Sequence, residues 1–156
     1  MIQRDIDKLM TFFDVASELE AQSVLDVGMY LKRTGCVSRM ALGRGLDEKV
    51  HLTGVDILPE LQFPVWEQAY DRIIDSESFL NSDEDVHYDV AFLFGAPGVG
   101  QRMPWKELTV KLSKCARIVV ADWTLADWES MFDGKSLYSN DKQYFLFQAK
   151  GWENGH

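Results

Sequence analysis

The stretch Val24-Leu25-Asp26-Val27-Gly28 decides how the rest of this sequence is interpreted. Its apolar residues predict a short buried strand, and an acid and a glycine stand where that strand ends. In an open α/β sheet, ligands of the nucleotide type bind at the carboxyl end of such a strand. Met29 and Tyr30 follow directly, and the next glycine is Gly35, so the turn carries half of a glycine-rich fingerprint.

The length and composition indicate one globular domain. The 156 residues, of which 46% are hydrophobic, are enough for a single domain over 1–156 with one core. No stretch approaches the roughly 20 apolar residues of a membrane span, and the first residues lack the pattern of a secretory signal. Cys36 and Cys115 do not form a metal-binding spacing. We therefore expect a reduced, cytoplasmic protein with no metal and no membrane contact.

The charge of the chain restricts its partners. The formal net charge is −9, and no cluster of Lys and Arg offsets it, so phosphate backbones are repelled. The acidic run Asp83-Glu84-Asp85 is typical of a solvated loop. The expected partner is therefore a small-molecule substrate or another protein and not nucleic acid. The sequence does not set the oligomeric state, and a homo-oligomer is compatible with it.

Apolar runs alternate with helical patterns along the chain. Five buried strands are predicted, at about 23–27, 50–55, 72–74, 89–94 and 116–121. Helices are predicted over about 4–21, 32–43, 64–70, 104–115 and 125–132, and strand-like segments over 136–138 and 144–149 flank an Asn140-Asp141 turn. This order predicts an α/β three-layer sandwich: a mostly parallel, doubly wound sheet with a C-terminal antiparallel hairpin.

Each predicted parallel strand ends in a carboxylate or a glycine. These strand-end residues are Asp26 with Gly28, Asp56, Asp75, Gly95 and Asp122. The carboxyl ends of parallel strands share one edge of a sheet, so these residues are expected to converge there. The alternative for any one acid is that it caps the next helix or faces solvent.

Several segments, taken in order, resemble one family. Ser23–Gly28 resembles the first motif of the class I S-adenosylmethionine-dependent methyltransferases, and Thr53–Glu60 resembles their second, including a Pro-Glu pair that opens a helix. Asp75-Ser76 resembles the third motif, and Tyr88–Phe94 and Arg117–Asp122 resemble the fourth and fifth strands. The resemblance covers about residues 5 to 150 and implies the same fold, with the tail hairpin as its antiparallel pair.

The resemblance also implies S-adenosylmethionine as the cofactor and assigns residues around it. The implied contacts are Asp26, Gly28 and Tyr30 at the methionine part, Asp56 and Ile57 at ribose and adenine, Asp75 and Ser76 at the adenine edge, and Phe94 and Gly95 at the transferred methyl. Whether Met29 and Tyr30 fill the methionine pocket or frame it is left open by the sequence.

A substrate region is expected beside the cofactor. Trp105 and Trp123 follow the fourth and fifth strands, so they are candidates for an aromatic wall, with core packing as the alternative. Asp122 joins them as a candidate substrate contact. Asp122 and His87 are candidates for a general base, and no catalytic residue is assigned.

Two other nucleotide-binding classes fit less well. Gly95–Arg102 has the glycine spacing of a phosphate-binding P-loop but lacks the Lys and the Ser/Thr that must follow. A nicotinamide-binding domain needs further glycines after Gly28. The predicted function is a methyltransferase that acts on a small molecule. The alternative is a non-catalytic relative that binds a nucleoside-type ligand or a protein partner.

Overall fold

A computed structural model describes residues 20–28, 50–56, 70–82, 87–93, 104–121, 128–130, 132–139 and 142–149. The predicted helices over 4–21, 32–43 and 64–70 fall almost entirely outside these ranges. Within the described part, the strands form one sheet. No helix in that part is long and apolar enough to cross a membrane.

The sheet has seven strands in the order β3-β2-β1-β4-β5-β7-β6. Its strands are β1 (Ser23–Val27), β2 (His51–Asp56), β3 (Arg72–Asp75), β4 (Tyr88–Leu93), β5 (Ala116–Ala121), β6 (Phe132–Ser139) and β7 (Lys142–Ala149). Strands β1 to β5 are all parallel, with β1 between β2 and β4. The predicted five-stranded parallel sheet is therefore confirmed, with strand bounds that differ by one residue at most.

The last two strands run against the others. Strand β7 pairs antiparallel with β5, and β6 pairs antiparallel with β7 from Phe132↔Ala149 to Ser139↔Lys142. Both strands are longer than the predicted segments at 136–138 and 144–149. A helix was predicted over 125–132, and the described residues of this segment do not form it. Trp128–Ser130 forms a 3₁₀ turn, and Phe132 begins β6.

Trp128 and Phe132 pack together in the core without an α-helix between them. Trp128 and Phe132 are 1% and 2% exposed, and their ring centroids are 5.6 Å apart. A spacing of four residues that brings two rings together is typical of a helix. Here one tight turn followed by a strand gives the same contact, and Trp128 serves as a core residue.

Two helices of the described part pack on one face of the sheet. Helix α1 (Ser76–Leu80) and helix α2 (Trp105–Cys115) contribute Phe79, Leu108 and Leu112 to the core there. The sheet side of this core cluster consists of alternate strand residues, including Leu25, Val27, Val55, Ala91, Leu93 and Val119. The predicted helix over 104–115 is confirmed. Helix α1 was not predicted, because it has five residues and only one buried apolar side chain, Phe79.

The opposite face of the central strands is also buried. Val24, Leu52, Val90 and Phe92 are at most 2% exposed, as is the acid Asp26 on the same face. Burial on both faces explains why the strands read as nearly continuous apolar runs, as is usual in parallel sheets. The one carboxylate among these side chains therefore needs a polar partner.

Candidate functional site

The carboxyl ends of β1, β2 and β3 bring four of the predicted site residues to one edge of the sheet. Asp56 and Asp75 are the last residues of β2 and β3 and pair with each other in the sheet register. Val27 pairs with Val55, so Gly28 follows directly beside the end of β2. Asp26, two residues earlier, lies on the sheet face that is opposite the α1–α2 core cluster.

The carboxylate of Asp26 is buried and hydrogen-bonded. It is 1% exposed, and the hydroxyl of Tyr70 donates to its Oδ2 over 2.6 Å. Tyr70 is itself 7% exposed and stands just before β3. This bond gives the buried side chain of Asp26 a polar partner, which buried polar groups require. Sequence reasoning missed Tyr70, because a single tyrosine ahead of a strand belongs to no motif.

Gly28 adopts a backbone conformation that favours glycine. Its φ is 72°, and its N–H donates to the carbonyl oxygen of Val55 over 2.8 Å. A Cβ placed on Gly28 would lie 2.8 Å from Cη2 of Trp105, which is closer than real Cβ contacts come. Glycine is thus required here twice, by the left-handed turn and by the indole packed against it.

The start of helix α2 holds Trp105 over this turn. The carbonyl oxygen of Pro104 accepts from the N–H of Leu108 over 2.9 Å, and the hydroxyl of Thr109 donates to the carbonyl of Trp105 over 2.8 Å. The indole is partly buried and packs against the core cluster. Trp105 therefore packs on the core, which was the alternative to an aromatic wall, and its role toward a substrate stays a prediction.

Asp75 caps helix α1, as the alternative for strand-end acids proposed. Its Oδ1 accepts from the N–H of Ser78 over 2.8 Å and its Oδ2 from the hydroxyl of Ser78 over 2.7 Å. The Ser78 hydroxyl, followed by the Ser78 N–H, lowers the pKa of Asp75 below its usual range. Backbone hydrogen bonds from Glu77 and from Asp75 itself act in the same direction. The carboxylate is therefore ionised at neutral pH.

Asp56 is the more enclosed of the two strand-end acids on β2 and β3. It is 5% exposed, and the neighbouring Ser76 is 6% exposed. Two carboxylates at adjacent strand ends can accept hydrogen bonds from hydroxyl and amino groups of one ligand. Within the described ranges, no group of His, Cys, Asp or Glu side chains could hold a metal ion.

His87 lies at the other edge of the sheet. Its carbonyl oxygen accepts from the hydroxyl of Ser23, the first residue of β1, over 3.3 Å. Beside it, Oδ2 of Asp89 accepts from the N–H groups of Gln22 and Ser23 at 2.8 and 3.2 Å. The six residues of β4 separate this amino edge from the carboxyl edge by roughly 20 Å. The prediction of His87 as a candidate base at the site is therefore wrong.

The remaining predicted site residues lie outside the described ranges. They are Tyr30, Ile57, Phe94, Gly95, Asp122 and Trp123. The segment Gly95–Arg102, with its P-loop-like spacing, lies there as well. Their roles stay predictions.

Comparisons with known proteins find similarity of fold among solved structures. No protein-family model and no curated protein matches the sequence. The methyltransferase domain of bacterial CtHen1 matches with a TM-score of 0.63 and 14% identity, covering 91% of this chain and 97% of that one. A putative caffeoyl-CoA O-methyltransferase from Staphylococcus aureus gives a TM-score of 0.60 at 13% identity over 91% of this chain and 83% of the other.

A third solved structure contains the cofactor that the sequence motifs imply. The O-methyltransferase TomG from Streptomyces achromogenes, solved in complex with S-adenosylmethionine, has a TM-score of 0.60 at 12% identity, over 92% of this chain and 80% of that one. Identities this low show similarity of fold. The chain therefore has the fold of the class I S-adenosylmethionine-dependent methyltransferases.

Proposed function

We propose that this protein is an S-adenosylmethionine-dependent methyltransferase that acts on a small molecule. One observation carries the proposal: a glycine turn and two acids, Asp56 and Asp75, stand side by side at the carboxyl edge of parallel strands. Open α/β sheets bind their ligands at this edge. TomG, which shares the fold, was solved with this cofactor bound.

The described residues suit the nucleoside end of the cofactor. Asp56 is enclosed, and its carboxylate is suited to accept hydrogen bonds from the two ribose hydroxyls. Asp75 stands on the next strand and is held in place by Ser78, and its ionised carboxylate is suited to an adenine amino group. When bound, S-adenosylmethionine supplies a methyl group on a positively charged sulfur.

The contribution of the chain to such a reaction is positioning. Direct transfer of a methyl group needs the accepting atom held in line and water excluded, and good positioning alone lowers a barrier by several kcal/mol. Tyr70 holds Asp26 through a hydrogen bond of 2.6 Å, and the first turn of α2 holds Trp105. Asp122 remains the candidate base of this proposal.

A small-molecule acceptor is favoured by charge. Proteins of this fold include a 16S rRNA methylase, ArmA, so the fold itself does not choose between RNA and small molecules. The net charge of −9 opposes binding to a phosphate backbone. The structurally similar TomG is an O-methyltransferase involved in tomaymycin synthesis. The buried free thiol of Cys115 is in keeping with a reduced, cytoplasmic setting, which belongs to the same proposal.

Calorimetry with S-adenosylmethionine and S-adenosylhomocysteine tests the proposal. We expect micromolar binding, weakened about 10- to 100-fold in Asp56→Asn, because a hydrogen bond to a charged acceptor contributes about 1.5–3 kcal/mol. Glu107→Gln removes an exposed carboxylate of α2 and is the matched control, with unchanged binding. No binding of either compound to the wild-type protein would refute the proposal.

The second candidate is a non-catalytic relative that binds a nucleoside-type ligand. Trp105 favours it, because the indole takes up the space next to Gly28 that a cofactor would approach. Methyl transfer from labelled S-adenosylmethionine to a panel of hydroxylated and amino compounds separates the two functions. Binding that is lost in Asp56→Asn, without transfer to any compound of the panel, favours the second candidate.

A further inference from the structure

The indole of Trp105 fills the space that Gly28 leaves at the end of β1. The three atoms nearest to a Cβ placed on Gly28 are all indole carbons, Cη2, Cζ2 and Cζ3, at 2.8, 3.6 and 3.7 Å. A ligand atom needs about 3.5 Å from the carbon atoms on either side of it. No ligand atom therefore fits between this face of Gly28 and the indole as they stand.

The polar group of the same turn is also occupied. The N–H of Gly28 donates to the carbonyl of Val55, so it is not available to a ligand. Among the described residues, the end of β1 at Gly28 thus offers neither close approach on this face nor a free amide donor. The ends of β2 and β3, about 5 and 10 Å away across the sheet, carry Asp56 and Asp75. The two halves of the edge therefore differ in what they can accept.

We propose that Trp105 determines the length of the ligand that this edge accepts. A nucleoside thioether held at Asp56 fits while the indole stays in place. A ligand with an amino-acid tail that extends toward β1 binds only when the indole moves away from Gly28. This inference rests on the proposed function, because it takes the nucleoside end to lie at Asp56 and the tail to lie toward Gly28.

The hydrogen bonds in the first turn of α2 make it energetically unfavourable to move the indole of Trp105 away from Gly28. The first turn of the helix is fixed by Leu108 and Thr109, both of which are at most 1% exposed, so the indole cannot move freely with its backbone. The side chain itself must change rotamer and leave the core cluster. The affinity for a tailed ligand is then reduced by the small fraction of molecules in which the indole is displaced.

Calorimetry with two ligands tests the inference. S-adenosylhomocysteine carries the amino-acid tail, and 5′-methylthioadenosine lacks it. In Trp105→Leu we expect the affinity for S-adenosylhomocysteine to rise about tenfold, and that for 5′-methylthioadenosine to change less than about twofold. Val110→Ala, at an exposed position of the same helix, is the control and changes neither. Trp105→Phe, which keeps a shorter ring, gives an intermediate gain and carries the test if the leucine variant does not fold.

The outcomes separate this inference from the proposed function. Weaker binding of S-adenosylhomocysteine to Trp105→Leu, or an equal change for both ligands, overturns the inference and makes Trp105 a ligand contact or a purely structural residue. Such a result leaves the proposed function standing if Asp56→Asn still weakens binding. Absence of binding of both S-adenosylmethionine and S-adenosylhomocysteine to the wild type refutes the proposed function and, with it, this inference.

Discussion

At the residue scale, Gly28 and Trp105 depend on each other. We expect Gly28→Ala to reduce the free energy of unfolding by about 2–4 kcal/mol. The left-handed φ of 72° costs a side chain about 1–2 kcal/mol, and the new methyl group pushes on the indole 2.8 Å away. Urea denaturation of the two proteins measures the difference.

A double-mutant cycle separates the two parts of this cost. In a Trp105→Leu background the clash disappears, so Gly28→Ala should cost only the backbone part of about 1–2 kcal/mol. Equal costs in both backgrounds would show that the indole does not press on Gly28. The cycle requires no ligand, so it tests the packing independently of any binding function.

At the scale of elements, the capping of helix α1 by Asp75 makes stability depend on pH. Asp75→Ala should cost about 0.5–2 kcal/mol at pH 7, the usual effect of losing an N-cap side chain. The folded-state pKa of Asp75 lies below the unfolded value. Asp75 therefore contributes fully to the free energy of unfolding above about pH 5, and this contribution is lost as the pH falls through the folded pKa.

Asparagine at position 75 is the matched control for charge. Asp75→Asn keeps an oxygen that can cap the helix but removes the titration. Denaturation curves between pH 3 and 7 should therefore show a smaller acid-induced loss of stability in Asp75→Asn than in the wild type. Parallel pH profiles of the two proteins would contradict the assignment of this hydrogen bond.

A second element-scale prediction concerns the amino ends of β1 and β4. Asp89 accepts from the N–H groups of Gln22 and Ser23, and the hydroxyl of Ser23 accepts from the N–H of Asp89 over 3.1 Å. Asp89→Ala leaves two donors without this acceptor and should cost about 1–3 kcal/mol. Ser23→Ala should cost less, about 0.5–1.5 kcal/mol.

Ligand binding provides the control for this pair. The amino edge lies a full strand away from Asp56, so affinity for S-adenosylhomocysteine should be unchanged in Asp89→Ala at temperatures where the variant is folded. Calorimetry measures it. A large loss of affinity in a folded variant would return this edge, and with it His87, to the candidate site.

At the scale of the molecule, the sequence predicted the parallel sheet because its signals are local. An apolar run followed by an acid or a glycine occurs at Asp26, Asp56 and Asp75, and each one marks the carboxyl end of a strand in the structure. The contacts between these strand ends and other elements were not predictable. Tyr70 reaches Asp26 across 44 positions of sequence, and Trp105 reaches Gly28 from a helix beyond β4. Such pairs are created by strand order and leave no periodic signal.

The buried thiol of Cys115 makes the stability of the protein depend on pH in the alkaline range. Burial raises the pKa of this thiol from 9.0 to about 11, partly offset by the charge of Lys111. The folded state therefore holds the proton that the unfolded chain gives up. The thiol therefore contributes fully to the free energy of unfolding below pH 9. This contribution, up to roughly 2–3 kcal/mol, is lost as the pH rises toward 11.

Comparison with Cys115→Ala separates the effect of this thiol on the free energy of unfolding from the effects of other groups that titrate at alkaline pH. The variant starts less stable, because it removes a buried sulfur, but it lacks the titrating group. The difference in unfolding free energy between wild type and variant should therefore shrink between pH 8 and 10.5 in urea denaturation. A constant difference over that range would mean that the thiol is accessible to water. Slow reaction of native Cys115 with a thiol reagent, measured in a Cys36→Ser background, should accompany the first result, because a buried thiol reacts through transient opening of the core.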